Sequence, residues 1–531
     1  MRAKTATVTL GLDEVHDEQA LRLAAARALG MSESEIPEIY LLKRSLDARR
    51  GRMHFEVSVQ VGGDDPLYRL GLPHPVSGPP HAPVVVIGEG PAGLFCAYEL
   101  ARHGIIATVL DRGKPVQPRR HDLKGLNQRR RVDADSNYCF GEGGAGTFSD
   151  GKLYTRATKR GDVRDILEVL ALHGAPPEIL VDARPHIGSN KLPKVVSGMR
   201  ARLEEVGVNF RFGARVVDLA FAGTGADRHI TALQLADGSS LQAAHVVLAT
   251  GHSARDIWEM LDRHEIALEA KPFAIGVRIE HPQPLINRIQ YGAYADHPNL
   301  PNAAYRLAET VSERGVFSFC MCPGGFVVPA STEPGALVVN GMSLSKRNSP
   351  FANSGMVIGI ETEDCERLGF TGPMAGVAVQ KALEEQAWKA GGEALRAPAS
   401  RVSDFLRGKS SSDVPKTSYQ PGLQPGNIAE VLDATGLSLS FRLREALQAF
   451  GKKMRGYVTE EAVLIGVESR TSAPVRILRD RDSLASPSAA GIYPCGEGAG
   501  FAGGIVSAAL DGIRVARSIS NQLGRERIAV S

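Results

Sequence analysis

The feature that most constrains this chain is the unit between Val84 and Gly113, which reads VVVIGEGPAGLFCAYELARHGIIATVLDRG. It contains an apolar strand, a glycine-rich turn, a helix and a second strand. Gly88 permits a tight turn off the first strand, and Gly90 lets the backbone approach a pyrophosphate without a Cβ in the way. Gly93 lets the helix pack closely on the strand. The unit therefore predicts a dinucleotide-binding turn rather than an ordinary loop.

The second strand of this unit ends at an acidic residue. Asp111 follows Gly88 by 23 positions, where a carboxylate accepts hydrogen bonds from an adenosine ribose. Aspartate rather than arginine at this position argues against a 2′-phosphate on the nucleotide. The diphosphate is expected on the first amides of the helix, near Pro91 and Ala92, because the helix dipole favours an anion there. Arg112, the residue after Asp111, is also predicted to contact the nucleotide.

Length and composition indicate a multidomain enzyme. At 531 residues the chain exceeds the size of one hydrophobic core, so two or three domains are expected. A net charge of +3 gives no general attraction to nucleic acid or anionic membrane. The six cysteines form no CxxC pair, which is typical of a reducing cytoplasm. The start of the sequence lacks an apolar signal core, and no stretch approaches the ~18 apolar residues of a spanning helix. We expect a cytoplasmic protein without a membrane segment.

The first 61 residues read as a small β-α-β-β module. Its predicted elements are a strand at 5–12, a helix at 17–30 and strands at 36–44 and 53–61. A linker rich in proline and glycine follows at 71–83, which places a domain boundary near residue 80. We favour a docking or stabilising role for the module. RNA binding is the alternative, although the module lacks a pair of aromatic residues in an RNA-reading pattern.

A second glycine-rich turn follows a strand at 491–497. In a flavin site, an acidic residue such as Glu497 accepts hydrogen bonds from the ribityl chain, while the amides of Gly503, Gly504 and Ile505 point at the pyrimidine edge of the ring. Negative charge that develops there on reduction is stabilised by a helix N-terminus, by about 0.3–1 kcal/mol and by up to about 2 kcal/mol in partly buried geometry.

Four stretches now carry a family resemblance: VVVIGEGPAGL, FGEGGAGTFSDGKL, VVLATGHSARD and GIYPCGEGAGFAGGI. They resemble the FAD-binding elements of the glutathione-reductase-type two-dinucleotide-binding flavoproteins. More closely, they resemble a bacterial group known only as FAD-dependent dehydrogenases or oxidoreductases, and this similarity covers nearly the whole chain. The resemblance implies FAD bound without a covalent link, and it leaves the substrate unassigned.

The resemblance also implies which residues contact each part of FAD. Gly88, Gly90 and Gly93 would contact the pyrophosphate, and Asp111 the adenosine ribose. The other implied contacts are Val216 or Val217 at the adenine, Gly143, Gly144, Ala145, Thr147, Ser149 and Lys152 along the middle and the ring, Thr250 and Gly251 beside the cofactor, and Gly496, Glu497, Gly503, Gly504 and Ile505 at the ribityl chain and ring. Glu497 stands where the related reductases often have aspartate.

The predicted fold class is α/β. We expect a discontinuous Rossmann-like FAD-binding domain, with an inserted mixed α/β substrate domain and the small N-terminal module. The predicted boundaries are 1–80 for the N-terminal module and linker, 81–265 for the first part of the FAD-binding domain, 266–465 for the substrate or cap domain, and 466–531 for the last part of the FAD-binding domain.

Candidate catalytic residues lie in the predicted cap. Cys320 and Cys322 are two positions apart, so in a regular strand they share a face and could form a redox pair, a soft metal site or a nucleophile. The alternative is two small buried side chains beside a turn. Two thiols do not complete a zinc site, and we expect no metal. Arg278 and His281 could anchor a carboxylate or move a proton, and a structural ion pair in a strand fits them equally well.

The resulting hypothesis is an FAD-dependent oxidoreductase, a dehydrogenase or reductase that moves a hydride through flavin N5 to or from a small-molecule substrate. The chain has one complete nucleotide fingerprint, so NAD(P)H is a candidate electron donor without a domain of its own. A flavin-dependent monooxygenase is one alternative. A flavin-carrying RNA-binding or RNA-modifying protein is another. It would use residues 1–70 and the basic residues from Arg119 to Arg131, although the basic residues read better as a solvated face. The sequence indicates neither a membrane partner nor an oligomeric state.

We expect the purified protein to be yellow, and the Gly90→Asp variant to be colourless because its carboxylate would face the diphosphate. The measurement is the visible absorption spectrum, with release and quantification of FAD. Gly238→Asp, in a predicted turn outside the fingerprint, is the control and should remain yellow. A colourless wild type that does not take up FAD would contradict the assignment.

Overall fold

The computed structural model describes residues 3–49, 52–66, 70–74, 81–155 and 161–524. The strands are β1 (Lys4–Leu10), β2 (Ile39–Asp47), β3 (His54–Val61), β4 (Val84–Ile87), β5 (Thr108–Leu110), β6 (Asn209–Arg211), β7 (Val216–Ala222), β8 (His229–Leu235), β9 (Ser240–Gln242), β10 (His245–Leu248), β11 (Leu268–Ala270), β12 (Phe273–Pro282), β13 (Ala308–Val311), β14 (Arg314–Cys322), β15 (Gly325–Pro329), β16 (Val339–Ser343), β17 (Phe351–Ile360), β18 (Ala397–Arg401), β19 (Leu423–Pro425), β20 (Val463–Glu468), β21 (Val475–Ile477) and β22 (Ile492–Pro494).

The helices are α1 (Glu18–Leu29), α2 (Pro91–Arg102), α3 (Val116–Arg129), α4 (Val163–Leu172), α5 (Leu192–Glu205), α6 (Arg255–Arg263), α7 (Gln283–Tyr291), α8 (Thr362–Arg367), α9 (Ala375–Ala390), α10 (Val402–Leu406), α11 (Ile428–Asp433), α12 (Leu439–Lys453) and α13 (Ile505–Gln522). Together the elements form a mixed α/β protein with parallel and antiparallel sheets. Among the described residues, no helix has the length and apolar character that crossing a membrane requires.

The N-terminal module has the predicted order of elements. Its antiparallel sheet runs β1-β3-β2 and packs on α1, which begins where the Asp17 side chain accepts hydrogen bonds from two helix amides. Arg44 forms an ion pair with Asp182 at 2.8 Å, and the Asn299 side chain donates to the Leu12 carbonyl at 3.0 Å. The module therefore contacts both larger parts of the molecule. Part of the predicted linker, residues 75–80, lies outside the described residues.

A parallel five-stranded sheet of order β22-β10-β4-β5-β6 forms the centre of the predicted nucleotide-binding part. Its strands are short and apolar, and β4 and β22 are buried along their whole length, as expected for a parallel sheet covered on both faces. Because β10 and β22 lie far along the chain from β4, the sheet is assembled from separate stretches of sequence. Helices α2 and α13 pack against each other on this sheet.

The inserted part is built on a seven-stranded sheet of order β13-β14-β17-β12-β20-β18-β19, which is antiparallel except for the β18–β19 pair. We refer to residues 272–471 as the cap. The strand β20 continues to Glu468, which pairs with Gly276 of β12. Strand pairing in the cap sheet thus continues to Glu468, close to the predicted boundary at 465, and the boundary itself stays a prediction.

The contact between α2 and α13 leaves no room for a side chain at Gly512. A Cβ there would lie 3.0 Å from the carbonyl carbon of Ala92 and 3.1 Å from the Cys96 amide nitrogen. A Cβ at Gly125, inside α3, would have the Arg131 carbonyl oxygen as its nearest neighbour, at 4.0 Å. The same Gly→Ala substitution should therefore have opposite effects at these two helical positions.

We expect Gly512→Ala to lower the thermal unfolding midpoint, because overpacking costs about 1–3 kcal/mol and outweighs the gain in helix propensity. Gly125→Ala is the matched control and should raise the midpoint, since it gains about 0.5–1 kcal/mol of propensity without a clash. The midpoints of both variants are measured by circular dichroism. An unchanged or raised midpoint for Gly512→Ala would show that the α2–α13 packing is looser than the structure indicates.

Candidate active site

A cavity of about 430 Å³ lies between the parallel sheet and the cap. The carboxyl ends of four parallel strands meet at its first wall: Gly88 follows β4, Asp111 follows β5, Thr250 follows β10 and Glu497 follows β22. Because parallel strands all end at the same edge of a sheet, sequence segments more than 400 positions apart converge here. This is the edge at which open parallel sheets bind ligands.

The first glycine-rich turn has the geometry that its spacing predicts. Gly88 adopts a φ of 98°, and its amide donates to the Leu110 carbonyl at 2.7 Å. Gly90 caps α2 and lines the cavity together with Pro91 and Ala92. Gly93 does not line the cavity, since it faces the Gly88 carbonyl and has no space for a Cβ. Its contribution is the close packing of α2 on the turn.

Asp111 lines the cavity and also shapes the turn. Its carboxylate accepts hydrogen bonds from the Glu89 amide at 3.0 Å and the Gly113 amide at 2.8 Å. The neighbouring Arg112 lines the cavity as well and stacks on the Phe140 ring, 4.6 Å from its centroid. Its guanidinium is held by two ion pairs at 2.9 Å, to Asp135 and Asp256.

The sequence left two valines as candidates for the adenine contact. Val216 is buried and lines the cavity, whereas Val217 is 40% exposed and does not. Successive side chains on a strand point to opposite faces, so only one of the two can face a ligand. The structure places Val216 on that face.

In the loop from Gly141 to Lys152, too, only some of the predicted contact residues line the cavity. Gly144, Ala145, Ser149 and Lys152 line the cavity, while Gly143 and Thr147 lie behind it. The Thr147 hydroxyl donates to the Glu142 carbonyl at 2.8 Å, within a tight turn that begins after Gly143 at a φ of 75°. These two residues therefore shape the loop.

Arg119 holds this loop from behind. Its side chain is fully buried, and its guanidinium donates to the carbonyls of Asn137, Tyr138, Glu142 and Gly144 at 2.7–3.0 Å. The prediction that the basic segment from Arg119 to Arg131 is a solvated face is thus wrong for its first residue. A guanidinium carries five donors, so one buried arginine can bind several carbonyls of a glycine-rich loop.

The second glycine-rich turn completes the first wall. Glu497, Gly503, Gly504 and Ile505 line the cavity, and Ile505 begins α13. Gly496 lies behind, where a Cβ would be 2.7 Å from that of Ala92. Burial raises the pKa of Glu497 to about 7, although Lys271 opposes the shift. Glu497 can therefore act as a hydrogen-bond donor or acceptor near neutral pH.

Two observations show that this wall fits a flat, polar ligand such as FAD. The hydroxyl of Thr250 is buried at the cavity without a hydrogen-bond partner, and such a group ordinarily has one. At Gly251, Gly503 and Gly504 a Cβ would meet nothing within 4 Å. Bare backbone therefore borders open space where the flavin contacts are predicted.

The opposite wall of the cavity belongs to the cap. Its lining residues are Phe319, Cys320, Val328, Ala330, Asn340, Gly341, Met342, Arg470 and Thr471. Asn340, Gly341 and Met342 lie on β16, in a stretch that shares the family resemblance but to which the sequence assigned no contact. His252, directly after the predicted pair Thr250 and Gly251, also lines the cavity; burial, aided by Arg470 and Arg255, lowers its pKa to about 4.

The two cysteines do not occupy equivalent positions on their strand. A bulge interrupts β14 between Phe319 and Cys322, and Cys320 adopts a φ of 44°. Cys320 is exposed at the cavity, whereas Cys322 is fully buried. The predicted alternation therefore fails, because it assumes a regular strand. Both sulfurs nevertheless lie 3.7 Å from Lys152 Nζ.

Arg278 lies behind the cap wall and does not line the cavity. It is fully buried and pairs with Glu468, with 2.9 Å between Nη2 and Oε1. It also donates to the Asn340 side chain at 2.9 Å and the Cys320 carbonyl at 3.0 Å. Arg278 therefore positions two residues of the cavity wall, Asn340 and Cys320. Its geometry does not support direct anchoring of a substrate.

His281 is also remote from the cavity wall. Its ring is fully buried in the cap, with Nε2 2.8 Å from the Tyr457 carbonyl oxygen. Burial lowers its pKa to about 4, so the ring is neutral at physiological pH. The geometry therefore gives no support to a role in moving protons to a ligand.

A buried carboxylate joins the two walls. Glu384, on α9 of the cap, pairs at 2.8 Å with Arg255 of α6 and at 2.8 Å with Arg470 of the cap wall. The Ser469 hydroxyl adds a hydrogen bond at 2.6 Å. Burial disfavours the ionised carboxylate, but the two arginines outweigh this and lower the pKa of Glu384 to about 2. This triad sets the position of Arg470 and Thr471 at the cavity.

Comparisons with known proteins agree with the cofactor that the site suggests. Residues 272–471 match the family described as FAD-dependent protein, C-terminal domain-like, and residues 2–62 match a domain of unknown function. The cap thus matches a domain found in FAD-dependent proteins. An uncharacterized protein of Clostridium beijerinckii is 38% identical over 540 residues, which cover 98% of each chain. The chain belongs to the same family as that protein. Membership of the glutathione-reductase type stays a prediction.

Several solved structures also align, all at low scores. CtdE in complex with FAD is 12% identical, with 84% of this chain and 87% of that chain covered and a TM-score of 0.33. The flavin-dependent brominase Bmp2 is 13% identical, with coverages of 84% and 81% and a TM-score of 0.36. A 2-methyl-3-hydroxypyridine-5-carboxylic acid oxygenase is 10% identical, with coverages of 83% and 85% and a TM-score of 0.31. Scores of this size support no conclusion about activity.

We expect Glu384→Gln to lower the stability of the protein at pH 7, by less than the about 3–5 kcal/mol that a wholly unpaired buried charge costs. The variant leaves the two buried guanidinium groups with Glu333 as their remaining counter-charge, at 2.8 Å from Arg255 and 3.5 Å from Arg470. The folded-state pKa of Glu384 is depressed from 4.5 to about 2, so its contribution is present above pH 4.5 and is lost as the pH falls toward 2.

Thermal unfolding between pH 7 and pH 2 measures both effects. The wild type should lose stability on acidification more steeply than Glu384→Gln. The control is Glu385→Gln, at the exposed neighbouring position on the same helix, which should behave as the wild type does. Parallel pH profiles for wild type and Glu384→Gln would contradict the assignment.

Proposed function

We propose that the chain is an FAD-dependent oxidoreductase, which binds FAD without a covalent link and moves a hydride to or from a small molecule through flavin N5. The observation that carries this proposal is the first wall of the cavity. There, four strand ends, two helix N-termini and a strip of bare glycine backbone face one space. The family match to FAD-dependent proteins supports the same cofactor.

Different residues of the first wall would bind different parts of FAD. The N-terminus of α2 at Gly90, Pro91 and Ala92 provides the positive end of a helix dipole for the diphosphate. Asp111 provides a carboxylate for the adenosine ribose, and the hydroxyl of Thr250 has an unused capacity for a hydrogen bond. Once bound, FAD supplies two-electron chemistry that the protein side chains themselves lack.

The ring end of the site has its own electrostatics. Helix α13 begins at Ile505, and its first amides provide partial positive charge for the pyrimidine edge of the ring. The Ser507 hydroxyl accepts from the Gly503 amide at 3.1 Å and donates to the Gly504 carbonyl at 3.0 Å, which orients this turn. Glu497, with its raised pKa, can hold a proton near the ribityl chain.

The substrate is proposed to bind against the cap wall. This wall combines one guanidinium, Arg470, with the amide of Asn340 and the apolar side chains of Phe319 and Met342. Such a surface suits a small molecule that has both a polar and an apolar part. NAD(P)H has no second fingerprint to bind, so it would reach the flavin through the same cavity.

The RNA-binding alternative loses one residue of the basic segment, whereas the other five basic residues are exposed: Arg120, Lys124, Arg129, Arg130 and Arg131. Arg119 is fully buried, and the nearby Lys114 forms ion pairs with Asp122 at 2.8 Å and with Asp133 at 3.3 Å. Both side chains are therefore engaged within the protein. Binding of RNA by the N-terminal module is left as a separate hypothesis, which a salt-dependent tRNA-binding measurement would test.

We expect the bound flavin to be bleached anaerobically by one class of small-molecule donor. The measurement is the visible band during titration with NADH, NADPH and a panel of metabolites, followed by reoxidation with oxygen or candidate acceptors. Heat-released FAD at the same concentration is the control for direct chemical reduction. NAD(P)H oxidation that is fast only when a substrate is added, with oxygen consumed, would favour the monooxygenase alternative.

A further inference from the structure

Cys320, Cys322 and Lys152 form a compact cluster on the cavity side of the cap. Lys152 Nζ lies 3.7 Å from each sulfur and also donates to the Met321 carbonyl. The Cys322 thiol is directed back toward its neighbour, with its sulfur 3.3 Å from the Cys320 carbonyl oxygen. One ammonium group therefore faces both thiols.

The two thiols have opposite tendencies to ionise. When the Cys322 thiol turns from the Cys320 carbonyl to the Cys320 sulfur, its hydrogen bond, with help from Lys152 and Arg278, holds the pKa of Cys320 well below its usual range. This outweighs the scarcity of bulk water in the cavity, which acts in the other direction. The same hydrogen bond and burial raise the pKa of Cys322 well above its usual range. Asp150 acts against ionisation at both sulfurs, and Glu468 and Glu497 also interact with Cys320. Of the two sulfurs, Cys320 is thus the one favoured as the thiolate.

The position of the pair matters as much as its charge. Among the six cysteines, all within the described residues, Cys320 is the one that is exposed, and the surface it faces is the cavity. A bulge in β14 and a positive φ turn it away from the buried Cys322. A thiolate that is accessible and stands beside a second thiol is the arrangement in which thiol–disulfide exchange occurs.

We propose that Cys320 and Cys322 are a redox-active pair that passes two electrons between the flavin and a small-molecule disulfide. The proposal rests on the proposed function, since it requires bound FAD. In one direction, the Cys320 thiolate attacks a substrate disulfide, a new S–S bond forms, and one substrate thiolate leaves. Cys322 then attacks the Cys320 sulfur, and its proton goes to the second departing thiolate.

The pair is then restored by the flavin. Bound FAD, once reduced, would supply two electrons and one proton. The Cys320–Cys322 S–S bond would then break, and Cys320 would return as the thiolate and Cys322 as the thiol. The net reaction converts one substrate disulfide and one reduced, anionic flavin into a thiol, a thiolate and oxidised FAD. Lys152 stays protonated throughout and stabilises whichever sulfur bears the negative charge.

The decisive experiment is an anaerobic dithionite titration of air-oxidised holoenzyme. The wild type should take up four electrons per FAD, two for the flavin and two for the disulfide, because thiol–disulfide interconversion is a two-electron couple. Cys320→Ser and Cys322→Ser should each take up two. Cys139→Ser, which removes another cysteine of the cavity wall, is the control and should still take up four. Two electrons in the wild type would overturn the proposal.

A second measurement does not depend on the flavin. Protein from which FAD has been removed is oxidised with 5,5′-dithiobis(2-nitrobenzoate), a small disulfide, and a Cys320–Cys322 disulfide is sought by peptide mass spectrometry. Alkylation of the reduced protein by iodoacetamide should label Cys320 at pH 6.5, and Lys152→Met should slow this labelling about tenfold while Cys322 stays unlabelled. Failure to bind FAD would refute the proposed function and with it the electron transfer from the flavin, but it would leave the reactivity of the thiol pair to these assays. Cys320 that is inert, or labelled no faster than Cys139, would refute the thiol pair even in protein that binds FAD.

Discussion

The architecture of the cavity depends on one buried carboxylate with two arginines. Glu384 comes from the cap, Arg255 from the helix that follows strand β10 of the parallel sheet, and Arg470 from the segment directly after β20. Burying three charges is costly, and only the short, two-pronged contacts between them offset the loss of water. Because the triad spans both walls, it fixes the distance between the bare glycine backbone on one side and the cap residues on the other.

Much of the first wall could be predicted from sequence, for a physical reason. The glycines at 88, 90 and 93 are each required by the local backbone geometry. In a parallel sheet, the residues that follow each strand all lie at the same edge. The positions of Asp111, Thr250 and Glu497 at the cavity follow from these two rules. Their contacts with FAD stay predictions, as do the domain boundaries.

The second wall could not be predicted in the same way. The bulge at Cys320 breaks the two-residue alternation of side chains that sequence reasoning assumes for a strand. On the first wall too, the burial of Arg119 could not be predicted, because it depends on carbonyls that only the folded loop presents. Arg278 and His281 lie three positions apart in the stretch GVRIEHP (276–282), and by sequence both fit the same roles. In the structure Arg278 supports the cavity wall, whereas His281 lies in the core of the cap. A charged residue in an apolar strand signals a partner, but the sequence does not say where that partner is.

The strip of bare backbone at Gly251, Gly503 and Gly504 has a consequence for how this molecule can diversify. A wall made of main-chain atoms recognises the outline and the hydrogen-bonding edge of its ligand, and it offers no side chain whose exchange would alter that preference. The cap wall is made almost entirely of side chains. Changes in what the molecule acts upon are therefore free to accumulate on one side of the cavity while the other side continues to accept the same flat partner.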